Sequence, residues 1–163
     1  MRTRSFITLA FPVATQLLGA QALVLDSVNA RAVAQLLATF DETGSGRGAA
    51  LADRRAAMFA DNAVFVNAFG LRADGRDSIG AIWRRIYTSG SFTSSTITRV
   101  DREQRVLAPD LVLVDHVERI TGQKDPVTGR EMPPRTAHIT LLLRRYGSSD
   151  WRIVYYRAGD VRS

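Results

Sequence analysis

Hydrophobic positions along this chain keep a helical period early and an alternating period late. From Asp26 or Ser27, either of which can cap free backbone N–H groups, Val28, Ala32, Val33, Leu36, Leu37 and Phe40 fall at helical spacing and predict a first helix. The glycine-bearing run from Asp41 to Gly48 predicts a flexible loop. A second helix is expected from about Ala49 to Phe59, with Leu51, Ala52, Arg55, Ala56 and Phe59 on one side. Asp61 and Asn62 should end it, and a short strand should follow over 63–67. After a turn at 70–75, Ile79, Ile82, Trp83, Ile86 and Tyr87 complete an apolar stripe and predict a third helix, starting at Gly75 or Arg76 and stopping over 88–90.

The remainder reads as strands. Ser95 to Asp101 predicts one, and Arg105 to Leu107 either continues it or pairs back. Leu111 to Thr121, Arg135 to Tyr146 and Trp151 to Arg162 predict three long strands, separated by a loop over 122–134 and a tight turn over 147–150. Short turns between successive strands imply antiparallel pairing. Helices early and strands late imply an α+β fold. There is no internal repeat.

The N-terminus adds a separate element. Residues 1–22 have the form of a secretory signal peptide: Arg2 and Arg4, an apolar stretch from Phe6 to Leu18, then Ala20-Gln-Ala22 as a small-x-small cleavage site. Thr8, Pro12, Thr15 and Gln16 interrupt it too often for a membrane span. The expected mature chain is one domain over 23–163, periplasmic or extracellular; without export it would be cytoplasmic.

Composition narrows the chemistry. The chain of 163 residues has no cysteine, which excludes disulfides, thiolate metal sites and cysteine nucleophiles. Its net charge of +6 comes from 22 basic and 16 acidic residues, and Lys124 is the sole lysine. The arginines are spread along the whole chain rather than clustered on one segment, which argues against nucleic-acid binding. No phosphate loop, dinucleotide fingerprint, G-x-S-x-G or H-E-x-x-H motif occurs. No cofactor is expected, and two histidines with scattered carboxylates make no metal set.

The order of elements, with Phe59 to Asn67, Gly70, Gly75-Arg76-Asp77, Arg135 to His138 and Trp151-Arg152-Ile153, resembles the nuclear transport factor 2-like superfamily, and within it the small bacterial SgcJ/EcaC-type SnoaL-like group. The resemblance spans roughly 26–162; the segment Tyr155 to Asp160 departs from it. It implies a cone-shaped α+β barrel, with three N-terminal helices packed on a curved, mainly antiparallel sheet that encloses a pocket. It further implies a small apolar or aromatic organic ligand and a homodimer formed through the sheet face.

Candidate site residues follow. His138, in mid-strand among apolar neighbours, is either a general base near neutral pH or a structural or dimer-face histidine. It shares a face with Thr136, Thr140 and Leu142; Ala137, Ile139, Leu141 and Leu143 share the other. Asp115 and His116 point to opposite faces of their strand, so only one can line a cavity, and the pattern leaves the choice open. His116 shares its face with Val112, Val114 and Glu118. Asn67 can donate to a ligand carbonyl or hold its own turn. Phe65, Phe69, Trp83 and Tyr87 are cavity or core aromatics. Arg135 either holds an acidic ligand group or pairs with a carboxylate. Tyr155 is a further ligand-binding candidate, and Arg157 is expected to pair with Asp160. The functional expectation is a small-molecule-binding protein that acts as a cofactor-independent isomerase, cyclase or dehydratase, with His138 as the acid–base group. The alternatives are a non-catalytic ligand binder and a dimeric interaction module.

Overall fold

The computed structural model describes residues 23–44, 47–92, 94–125 and 127–161. The expected signal peptide at 1–22 lies outside the described residues. Asp26 caps the first helix, α1 (Ser27–Gly44): its Oδ1 accepts from the backbone N–H groups of Val28 at 3.0 Å and Asn29 at 2.9 Å. The second helix, α2 (Ala49–Ala56), is shorter than the periodicity predicts. Phe59 does not end it but begins β1 (Phe59–Val66). Phe59 pairs with the last strand, and a bulge between Phe59 and Val64 lets the exposed Asp61 and Asn62 sit inside a strand rather than stop a helix. Three residues expected as turn, β2 (Arg72–Asp74), pair antiparallel with β1.

Gly75 precedes α3 (Arg76–Thr88) with φ +85°, and its N–H donates to Ala63 O at 2.8 Å, so the helix starts tight against β1. The stripe Ile79, Trp83 and Tyr87 is buried, as the period requires. A short 3-10 turn, η1 (Gly90–Phe92), leads into β3 (Thr96–Ala108), one continuous strand of 13 residues. The strands β4 (Leu111–Thr121), β5 (Arg135–Tyr146) and β6 (Asp150–Asp160) complete the meander.

The six strands form one sheet in the order β2-β1-β6-β5-β4-β3. Every pairing is antiparallel except β1 with β6. The three helices cover one face, giving an α+β architecture. The core lies between them: Val33, Leu37, Phe40, Phe59, Phe65, Ile79, Val112, Val114, Ile139, Leu141, Leu143 and Ile153. One polar tie crosses it. Trp151 Nε1 donates to Asn29 Oδ1 at 2.9 Å, and Asn29 Nδ2 donates to Asp26 Oδ2 at 2.7 Å, which fastens the start of α1 to β6. Among the described residues, no helix is long and apolar enough to cross a membrane.

Candidate active site

Strand alternation decides which side chains face the helices. On β4 the even positions Val112, Val114, His116, Glu118 and Ile120 are buried; on β5 the odd positions Ala137, Ile139, Leu141 and Leu143 are. On β6 a bulge opposite Leu142 and Leu143 inserts Val154, so inward positions run Trp151, Ile153 and then Tyr156. Between this inner face and the helices lies a cavity of about 420 Å³. Its wall is mostly apolar, with Phe65, Trp83, Ile86, Phe92, Ile120, Ile139 and Tyr156 prominent. The polar groups on it are Arg55, Asn67, Tyr87, Ser89, Ser91, Glu118, Gln123 and Arg135, with Arg85 and Asp125 also lining.

Glu118 is a buried carboxylate on that wall. A line of charged and polar groups stands behind it. Asp41 at the end of α1 pairs with Arg102 on β3, and Arg102 Nη2 lies 3.1 Å from His116 Nδ1. A guanidinium has only donors, so Nδ1 accepts and the imidazole proton sits on Nε2. That nitrogen is 3.3 Å from Glu118 Oε1. The contact is close but misaligned: Nε2 has no hydrogen-bond partner. His116, fully buried against the Phe40 ring at 5.4 Å, therefore backs Glu118 without tying up its carboxylate.

Arg55 is the second buried charge, 3% exposed. Its Nη1 donates to Phe40 O at 2.8 Å and Thr43 Oγ1 at 3.2 Å, in the last turns of α1, where carbonyl dipoles favour a cation. Its Cζ lies 4.0 Å from the centre of the Phe40 ring and 4.3 Å from that of Trp83. Tyr87 donates its hydroxyl to Thr43 O at 2.7 Å, and burial pushes its phenol above the ordinary tyrosine range. Tyr156 is stacked on Phe65 at 4.7 Å, and burial raises its phenol strongly. Its hydroxyl has no hydrogen-bond partner among the described residues.

The structure brings Phe65, Asn67, Phe69, Trp83, Tyr87 and Arg135 together around the cavity. Asn67 uses its Oδ1 on the backbone N–H groups of Phe69 and Leu71, holding its own turn. Arg135 donates to Gln123 Oε1 at 2.9 Å and pairs with Asp160. This replaces the expected Arg157–Asp160 pair. Three candidates lie elsewhere. His138 is exposed on the outer face, because Ala137 and Ile139 on either side of it face the core. Asp115 is also outward, accepting from Thr140 Oγ1 at 2.6 Å. Tyr155 is displaced from the inner face by the Val154 bulge, and Tyr156 takes its place. Glu118 and Arg55 were not singled out from the sequence. The signal for Glu118 was its two-residue spacing from His116 on the face that also carries Val112 and Val114. Among the described residues no cluster of His, Asp and Glu is arranged to hold a metal ion.

No family model matches the sequence. No curated protein matches it either. The fold is nevertheless similar to solved structures. An uncharacterised protein with a cystatin-like fold from Caulobacter vibrioides superposes with a TM-score of 0.71 at 22% identity, covering 82% of this chain and 90% of that one. A ketosteroid isomerase-like protein from Erwinia carotovora gives 0.62 at 16%, covering 84% and 96%. A nuclear transport factor 2-like protein of unknown function from Pseudomonas putida gives 0.64 at 17%, covering 84% and 89%. These likenesses establish the nuclear transport factor 2-like fold.

Proposed function

We propose that this chain binds a small, largely apolar organic molecule in the cavity between helices and sheet. There it carries out a cofactor-independent proton transfer of the isomerase, cyclase or dehydratase kind. The observation that carries the reading is Glu118, a carboxylate on a mostly apolar cavity wall with His116 behind it at 3.3 Å. A carboxylate placed this way exchanges a proton with a bound carbon acid or alcohol. Tyr156, whose hydroxyl is uncommitted, is the group that orients a carbonyl. Cavities of this size suit compounds of drug-like dimensions.

A non-catalytic carrier is the second reading. It is favoured by the thin acid–base inventory: Tyr87 spends its hydroxyl on Thr43, and Arg135 is paired with Asp160. Native mass spectrometry after incubation with a pooled small-metabolite extract separates the two. A retained molecule of altered mass, or an isomer resolved by chromatography, supports catalysis, and Glu118→Gln should then abolish the change while retaining the ligand. A molecule retained unchanged supports the carrier. No retention by the wild type removes both readings.

Two further parts of the proposal stand apart from the cavity. Leu113, Val117 and Leu142 lie half-buried on the outer sheet face, which is the face proposed for a homodimer. Light scattering at micromolar concentration tests it, and a monomer mass removes it. Export with cleavage after Ala22 is tested by the intact mass of protein recovered outside the cytoplasm.

A further inference from the structure

We propose that Arg55 and Trp83 form an oxyanion subsite, so that the cavity's ligand is an organic monoacid with an aromatic or alicyclic body. This rests on the reading of the cavity as a ligand site and specifies its chemistry. Both residues line the cavity, and the guanidinium lies on the indole ring at 4.3 Å. Each carries a buried N–H with no acceptor: Arg55 Nε and Trp83 Nε1. A buried donor without an acceptor is costly, and an acceptor that reached these two nitrogens, neither of them open to a water-sized molecule in this structure, would remove that cost.

Charge points the same way. The hydrogen-bond acceptors of Arg55 are neutral, Phe40 O and Thr43 Oγ1, and among the described residues no carboxylate forms an ion pair with it. The neighbouring cation Arg135 is already matched by Asp160. Glu118 contacts His116, not Arg55. An incoming carboxylate or phenolate therefore meets a desolvated cation whose charge has no anionic partner, the setting in which charge-assisted hydrogen bonds are strongest. Glu118 makes the opposite demand. It accepts a hydrogen and repels a second anion, so the ligand has one acidic end, and a diacid binds less well. The rest of the wall, with Phe65, Ile86, Phe92 and Ile139, takes the apolar body.

Calorimetric titration of the full chain with 2-naphthoate, its neutral amide and naphthalene-2,6-dicarboxylate tests this. The acid is expected to bind roughly tenfold or more tightly than the amide, the scale of one charge-assisted hydrogen bond, and the diacid more weakly than the monoacid. Arg55→Met should erase the acid-over-amide preference, and Trp83→Phe should reduce it several-fold. If Arg55→Met fails to fold, the wild-type ratio and Trp83→Phe still decide. Equal binding of acid and amide overturns the subsite while leaving the cavity as a ligand site. An unchanged ratio in the variants overturns it as well. Failure of every probe to bind overturns both this inference and the reading beneath it.

Discussion

Replacing Asn29 with alanine should destabilise the domain by about 2 kcal/mol, because it leaves the buried Trp151 indole N–H without an acceptor, a loss worth roughly 1–3 kcal/mol. The bond is short, 2.9 Å, and both residues are at most 5% exposed, so water cannot substitute. The second bond of Asn29, to Asp26, adds little because that carboxylate is solvated. The cap survives, since Asp26 Oδ1 still accepts from the backbone at 28 and 29. For a chain of this size the melting temperature should fall by about 4–8 °C. A double-mutant cycle with Trp151→Phe isolates the pair. In the double variant neither partner is left orphaned, so its cost should be below the sum of the single costs by about 1 kcal/mol or more. Denaturant unfolding of the four proteins measures this. Additivity within roughly 0.5 kcal/mol would refute the assignment of the bond as the tie between α1 and β6.

Three further outcomes are expected. Gly122 has φ +66°, and a Cβ there would lie 2.6 Å from Ser94 O, so Gly122→Ala should lower stability by at least about 2 kcal/mol in the same unfolding assay. Folding raises the phenol pKa of both Tyr87 and Tyr156 through burial. The stability they contribute is therefore fully present below the unfolded tyrosine value of about 10 and declines as pH rises above it toward the folded values. Phenolate absorbance of the folded chain should lag behind that of the urea-unfolded chain by two tyrosines; equal titration would contradict their burial. Finally, His138→Ala should leave ligand retention and any turnover unchanged, whereas Glu118→Gln should remove turnover; the reverse result would return the chemistry to the outer face.

The helical stripe Ile79, Trp83, Tyr87 and the alternation in β4 and β5 made those elements legible, because one buried face imposes a period on its own residues. What stayed illegible depends on single-residue shifts. Both faces of β4 carry apolar side chains, so the residues alone could not say whether Asp115 or His116 turned inward, and the pairing with β5 under the helices settles it. Alternation from Trp151 and Ile153 points Tyr155 inward, but Val154 occupies a bulge and hands the position to Tyr156. The three residues of β2 read as turn because their strand character comes entirely from pairing with β1. Arg55 looked like one polar position on an amphipathic helix; its burial comes from the two rings that close over it.

The position of β6 bears on how this chain reaches its fold. It is the last strand in sequence, yet it sits in the interior of the sheet between β1 and β5. β1 has no partner on that edge until just over ninety residues later in the chain, and the inner-face residues Trp151, Ile153 and Tyr156 arrive with the same strand. Helices and the β3–β4–β5 meander can form locally, but joining them waits for a pairing of high sequence separation, which slows folding. During synthesis, the second edge of β1 and the part of α1 that packs on β6 remain uncovered until β6 has emerged, and in that interval the chain is most open to aggregation and to chaperone capture.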